Sequence, residues 1–154
     1  MYVDNNLTLS GSITNGVVTG QTVTGAASVI STNTIDMVKA GDLGEGMEIY
    51  GRAQITTTFT GLTALEIQVI AANDAALSTG VTVVGSSGAI PVAQLTAGAR
   101  FAAAINPRLA NNGQRYYGLR YVPTGTGTAG ALFGDIGIEV QDGQKFYPSG
   151  FVVA

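Results

Sequence analysis

Hydrophobic and polar residues alternate along much of this chain with a period of two, the spacing of a β-strand that buries one face. The clearest run covers residues 47–56, where Met, Ile, Gly, Ala and Ile alternate with Glu, Tyr, Arg, Gln and Thr. The β-branched run 56–60 continues this pattern, and a second alternation covers 65–71. We therefore predict strands over these three segments.

Four shorter segments show the same alternation: 81–84, 101–105, 117–121 and 132–140. We expect the first to end at Gly85-Ser-Ser-Gly88. Pro107 ends the second, because proline cannot donate to a sheet ladder. The last segment places Leu132 and Ile136 on one face and Asp135 on the opposite, solvated face.

Helical signals are scarce by comparison. Residues 71–77 and 92–97 each have the composition for a single turn of helix. Several short strands separated by regular turn signals are typical of an antiparallel sandwich or barrel. We predict an all-β fold, an antiparallel jelly-roll β-sandwich with an extended N-terminal arm or hairpin.

The N-terminal region differs from the rest because it carries no charge between Asp4 and Asp36. It is rich in Thr, Ser, Gly, Asn and Val, and Asn15-Gly16 between β-formers is a type I′ hairpin signal. We predict an arm or hairpin over 1–30, ordered against a partner, and a jelly-roll domain over 31–154.

The composition narrows the possible chemistry. Charged residues make up 11% of the 154 residues, against about 25% in ordinary soluble proteins. The chain has no His, Cys or Trp, so a Ser-His-Asp triad, a disulfide and a thiolate are excluded. Transition metals lack their preferred ligands. We expect a protein that is not an enzyme, with no cofactor.

The charge and hydropathy patterns bear on partners. The net charge is −3 and the seven basic residues form no cluster, whereas phosphate binding needs a basic patch. No stretch approaches the roughly 20 apolar residues of a membrane-spanning helix, and the first residues do not form a secretory signal. We expect no nucleic-acid and no membrane partner.

A glycine-rich motif and the acidic residues are the candidate catalytic features of the chain. Gly125–Gly130 fits G-x-G-x-x-G, but a dinucleotide site needs a helix to follow, so we predict a loop joining two antiparallel strands. A cross-strand pair of Glu48 and Glu66 stays open as a carboxylate pair. Solvated acids on outer faces are the favoured interpretation. Asp42, Glu45 and Glu48 match no calcium loop, which favours an acidic turn.

Two aromatic groups could form contacts. Tyr116, Tyr117 and Tyr121 lie beside Arg115 and Arg120, as in a central strand with aromatic cross-strand pairs, a protein interface or an aromatic platform for sugars. The aromatic residues near the C-terminus either fold back on the domain or dock on a neighbouring subunit: Phe146, Tyr147 and Phe151.

From Ser31 onward the chain resembles the small jelly-roll capsid cement, or decoration, proteins of tailed bacteriophages, whose type member belongs to a Bordetella phage. The resemblance rests on blocks in order at compatible spacing: Ser31–Asp36, Thr56–Val69, Asn73–Thr79, Gly88–Phe101, Arg115–Tyr121, Gly125–Gly130 and Tyr147–Gly150. The chain departs from the family at Asn5–Val29, which is longer and richer in Thr and Gly. The arm therefore reaches over the shell, adds a strand or mediates self-association.

The resemblance implies a virion protein on the outer surface of the capsid, made in the bacterial host cytoplasm. Its partners would be the major capsid protein and itself, as a dimer or trimer, with no catalytic residues to transfer. The alternative is a carbohydrate- or host-binding jelly-roll module with a platform of Tyr116, Tyr121 and Arg120. The candidate contacts with the capsid or a neighbouring subunit are Tyr2, Leu7, Leu9, Tyr116, Arg120, Phe146, Tyr147 and Phe151.

Overall fold

The computed structural model describes residues 5–39, 48–106 and 113–138. Within them the chain forms no α-helix, and the all-β prediction is confirmed. The strands are β1 (Thr8–Ser10), β2 (Ser12–Thr14), β3 (Val17–Thr19), β4 (Gln21–Thr22), β5 (Val29–Ile30), β6 (Ile35–Asp36), β7 (Tyr50–Ala72), β8 (Thr82–Pro91), β9 (Arg100–Ala104) and β10 (Tyr116–Gly137). Short 3-10 turns lie at Asn5–Leu7 and Val92–Gln94.

Two long antiparallel strands, β7 and β10, form the centre of the fold. They pair along their whole length, from Tyr50 opposite Gly137 to Ala72 opposite Tyr116. From Tyr50 onward, the segments predicted separately at 47–56, 56–60 and 65–71 are therefore parts of one strand. The predicted loop at Gly125–Gly130 was wrong, because this segment is strand within β10.

Both long strands bend near their middle, and the glycines there make the bend possible. Gly61 and Gly125 have φ of 85° and 88°, a region that glycine enters without the steric cost of a Cβ. The pairing register also shifts several times between Thr124 and Leu132. The glycine-rich segment therefore bends the strand through β-bulges and stays within the sheet.

The bend brings the two halves of the sheet face to face. A Cβ on Gly51 would clash with the side chain of Val69, which lies on the same strand. A Cβ on Gly134 would lie 2.8 Å from Leu119 Cδ1, on the other half of β10. One folded sheet thus supplies both layers of an antiparallel sandwich, in agreement with the predicted jelly-roll class.

Strands β8 and β9 cover the outer edge of β7. Strand β9 pairs with residues 50–54 and β8 pairs with 64–71. The strand predicted over 81–84 was expected to end at Gly85–Gly88, and this was wrong. Strand β8 continues to Pro91 through two register shifts. Between β8 and β9, the loop after Val92–Gln94 bonds to β7, with Phe59 N donating to Leu95 O at 3.0 Å.

The N-terminal segment covers the other edge of β10. It runs antiparallel to β10 as an interrupted strand, with Thr8 opposite Asp135 and Ile35 opposite Tyr117. Leu9 and Val23 are buried in the core. Much of the predicted arm is therefore ordered by β10 of the same chain, and the predicted division at residue 30 falls between β5 and β6.

The core lies between the two layers. Tyr117, Leu119 and Tyr121 share a buried face, as predicted. Asp135 is only 1% exposed, so its predicted solvated position was wrong. The reason is that Asp135 lies between β1 and Arg52 of β7, where the guanidinium binds both carboxylate oxygens, with Nε–Oδ1 at 2.6 Å and Nη2–Oδ2 at 2.9 Å.

Candidate functional site

The hairpin formed by β2 and β3 projects from the edge of the sandwich. Its turn residues Asn15 and Gly16 both have positive φ, 51° and 77°, the signature of a type I′ turn. The hairpin predicted from Asn15-Gly16 is confirmed, with Ile13 directly opposite Val18. Every residue of both strands is exposed.

The hairpin displays aliphatic side chains on both of its faces. Ile13 and Val18 are direct cross-strand partners and share one face, while Val17 points to the other with Thr14. Val17 is 64% exposed and Val18 45%. An isolated two-stranded hairpin is only marginally stable in water, so its apolar faces favour a contact that covers them.

The base of the hairpin is fixed by close packing against the sandwich. A Cβ on Gly11 would clash with Thr19 O and lie 3.2 Å from the ring of Phe133. A Cβ on Gly20 would lie 3.0 Å from Leu132 N. The hairpin therefore leaves the edge of β10 at a defined place, between the residues that pair with β1 and those that pair with β4.

Two side-chain amides hold the rest of the N-terminal segment in place. Gln21 Nε2 donates to Ile30 O at 2.7 Å, and Gln21 Oε1 accepts from Thr32 N at 3.0 Å. Asn33 Nδ2 donates to Thr8 O at 3.2 Å. These bonds cross between stretches that are distant in sequence, so the hairpin is presented on an ordered support.

A second exposed face, on the outside of β10 and β7, carries a polar ladder. Arg120 Nε donates to Gln68 Oε1 at 2.8 Å, and Gln68 Nε2 donates to Glu66 Oε1 at 2.8 Å. Ser86 Oγ also donates to Glu66 Oε1, at 2.6 Å. The bonds from Ser86 and Gln68 lower the pKa of Glu66. The polar groups of the ladder thus bind one another, and Arg120 at its end is partly buried.

One end of this face carries an exposed ion pair. The Arg115 guanidinium lies 5.1 Å from the centroid of the Tyr116 ring and donates from Nη2 to Asp36 Oδ2 at 2.7 Å. The Arg115 bond holds the pKa of Asp36 below its usual value. Tyr116 and Arg115 are thus engaged with each other and with the N-terminal segment.

The sugar platform of Tyr116, Tyr121 and Arg120, which the sequence left open as an alternative, is not formed by these three side chains together. Tyr121 lies on the core face and donates a hydrogen bond to Ser10, whereas Tyr116 and Arg120 lie on the outer face. The reason is the period of two, since an odd-numbered position on this strand points away from even-numbered ones.

The structure separates the other predicted contact residues. Leu7 is exposed, and Tyr116 and Arg120 are partly buried on the outer face. Leu9 is 1% exposed, so its side chain belongs to the core and not to a contact surface. The remaining four lie outside the described residues: Tyr2, Phe146, Tyr147 and Phe151.

Sequence reasoning did not single out three exposed apolar residues of the hairpin, namely Ile13, Val17 and Val18. A signal for them existed. Asn15-Gly16 predicts a hairpin in an uncharged segment, with valines next to the turn. Such a hairpin has two faces, and one edge of a sandwich can cover only one of them, so apolar side chains on the other face stay exposed.

The acidic residues do not assemble into a site within the described part of the chain. Glu48 and Glu66 are not cross-strand partners, because Glu48 precedes β7 and Glu66 pairs with Ala89 and Val122. Asp42 and Glu45 lie outside the described residues.

In residues 5–39, 48–106 and 113–138, no three His, Cys, Asp or Glu side chains are grouped to hold a metal. None of the helical turns there is long and apolar enough to cross a membrane.

The fold defines an antiparallel all-β sandwich protein with an exposed uncharged hairpin. The model of the Bbp16 family matches residues 17–136, from the start of β3 almost to the end of β10. The chain belongs to the Bbp16 family, whose name indicates a protein of a Bordetella phage. A search of curated proteins found no match.

Proposed function

We propose that this chain is a capsid decoration protein that binds the outer surface of the mature icosahedral head and stabilises contacts between major capsid protein subunits. The observation that carries the proposal is the Bbp16 match over nearly the whole sandwich. The low charge content of the chain supports it. The protein acts as a dimer or trimer and without catalysis.

The surface chemistry supports a protein that is bound to neighbouring subunits in an assembly. A surface with few charges limits solubility when it is free, and this matters less once neighbours cover it. The exposed hairpin adds aliphatic side chains, and among the described residues its two strands pair only with each other. It lies in a segment with no charge between Asp4 and Asp36. Strand edges bind extended partners through main-chain hydrogen bonds.

The energetic requirement for such a protein is preference for one state of the shell. A decoration protein stabilises the mature lattice only to the extent that it binds that lattice better than the unexpanded one. Many symmetry-related copies, and several contacts in each oligomer, allow modest individual contacts to give firm attachment.

Co-sedimentation tests the proposal directly. Purified protein is mixed with mature heads that lack it, and with unexpanded procapsids as the control. Saturable binding to mature heads alone, at a fixed ratio to the major capsid protein, is the expected result. Absence of binding to both particles would remove the capsid assignment.

A further inference from the structure

The tip of the hairpin is the Asn15-Gly16 pair. Asn15 and Gly16 are both exposed, and apart from Gly16 and its two chain neighbours no described residue lies within 4 Å of the place where a Cβ on Gly16 would sit. Because Gly16 has no side chain, its backbone nitrogen is not shielded from the amide of Asn15 once the turn opens. We propose that Asn15 is a site of spontaneous deamidation, which introduces a charge into the hairpin and disrupts its turn.

The chemistry needs only water. The backbone nitrogen of Gly16 loses its proton to solvent and attacks Cγ of Asn15. A bond forms between that nitrogen and Cγ, the bond from Cγ to Nδ2 breaks, and the side-chain nitrogen takes a proton from solvent and leaves as ammonia. Water then opens the cyclic imide at either carbonyl, giving aspartate or isoaspartate.

The place in the fold favours this reaction. The imide requires the turn to open, and a two-stranded hairpin with both faces exposed opens at low free-energy cost. Asn33 is held differently, because its Nδ2 donates to Thr8 O and its backbone nitrogen donates to Leu9 O at 2.8 Å. The residue that follows it, Thr34, also carries a β-branched side chain that Gly16 lacks.

The product would alter the surface in two ways. A carboxylate at residue 15 is the first charge between Asp4 and Asp36. Isoaspartate also adds a methylene to the main chain at a turn that sets Ile13 opposite Val18. Both changes act against an apolar contact through the hairpin. The reaction itself does not depend on the proposed capsid role.

Peptide mapping of the folded full-length protein tests the inference. The protein is incubated at neutral and mildly alkaline pH, and electron-based fragmentation distinguishes aspartate from isoaspartate at each position. Asn15 is expected to convert many-fold faster than Asn33, with isoaspartate in excess and a rate that rises with pH. Equal rates at the two residues in the folded protein, with fast conversion of Asn15 in urea, would show that the turn protects it and would overturn the inference.

A matched variant isolates the residue. Asn15→Gly keeps a residue suited to positive φ in a type I′ turn and removes the reacting amide. This variant should form the early acidic species more slowly than the wild type over the same incubation, and peptide mapping assigns any remainder, because the sequence holds a second Asn-Gly pair at Asn112-Gly113. If the variant forms this species at the wild-type rate, the reactive site lies elsewhere. Asn15→Asp provides the standard for the aspartate product.

Discussion

The hydroxyl of Tyr121 donates a 2.6 Å hydrogen bond to the hydroxyl of Ser10, and both side chains are buried. Tyr121 belongs to the half of β10 that pairs with β5, whereas Ser10 lies in β1, opposite Gly134 in the other half. The bond therefore joins the two layers that the bend of β10 brings together. It also joins the N-terminal segment to the core.

The first prediction concerns this bond. Tyr121→Phe should lower the free energy of unfolding by about 1–3 kcal/mol, because Ser10 loses its donor in a place that water does not reach. Adding Ser10→Ala should recover part of the loss, since both polar groups are then gone. Chemical denaturation measures both effects, and an unchanged midpoint for Tyr121→Phe would contradict the prediction.

The second prediction concerns alkaline pH. Burial raises the pKa of Tyr121 above its ordinary value of 10.0, and the charge of Asp135 adds to this, while the Ser10 bond acts in the opposite direction. The unfolded phenol ionises near pH 10 and the folded one stays neutral, so this contribution to stability is complete below that pH and declines above it. Stability of the wild-type protein should therefore fall above about pH 10, and less steeply in Tyr121→Phe. Chemical denaturation at a series of pH values measures this. If the free energy of unfolding falls with pH equally steeply in the wild type and in Tyr121→Phe, the prediction is contradicted.

Tyr121 also shows how far sequence reasoning reached. Its position on the buried face follows from the alternation with Tyr116 and Arg120, and the hairpin follows from Asn15-Gly16. The partner Ser10 could not be predicted, because pairing of the N-terminal segment with β10 joins residues more than a hundred positions apart and leaves no periodic trace in short strands. The glycines at 125–130 led to a wrong prediction of a loop, because a β-bulge and a loop use the same residue type.

The third prediction concerns the buried ion pair. Arg52→Ala should destabilise the protein by about 3–5 kcal/mol, because the Asp135 carboxylate would remain buried without its cation. Replacing both residues with apolar ones of similar size should cost less than the single change.

The pair formed by Asp36 and Arg115 is the matched control, because it has the same bidentate geometry at an exposed position. Arg115→Ala should leave the thermal midpoint nearly unchanged, since solvent screens exposed pairs. Equal losses for Arg52→Ala and Arg115→Ala would show that burial does not set the strength of these pairs.

The fourth prediction tests the face-to-face packing. Gly51→Ala should destabilise the sandwich by about 1–3 kcal/mol, since its Cβ overlaps Val69 and forces the layers apart. Gly127→Ala is the control, because its Cβ would meet nothing closer than 3.3 Å, at the end of the Leu62 side chain. Thermal unfolding of the two variants compares them, and a smaller loss for Gly51→Ala than for Gly127→Ala would argue against the folded sheet.

The last prediction concerns the hairpin as a contact with the shell. Removing residues 1–30 would be uninformative, because it also removes Leu9 and Val23 from the core and uncovers the edge of β10. The triple change of Ile13, Val17 and Val18 to Thr keeps β-branched side chains, and with them the strand preference, while it makes both faces polar. The free energy of unfolding should change little, since these side chains are already exposed.

Binding to mature heads should weaken many-fold in the triple variant, because an apolar contact would have to desolvate three hydroxyl groups. Ile138→Thr is the control, since Ile138 is also exposed but follows directly after β10, outside the hairpin. Quantitative co-sedimentation compares the three proteins. Unchanged binding of the triple variant would exclude the hairpin from the interface while leaving the capsid role to other surfaces. A loss shared with Ile138→Thr would indicate a general effect of surface polarity and not a site at the hairpin.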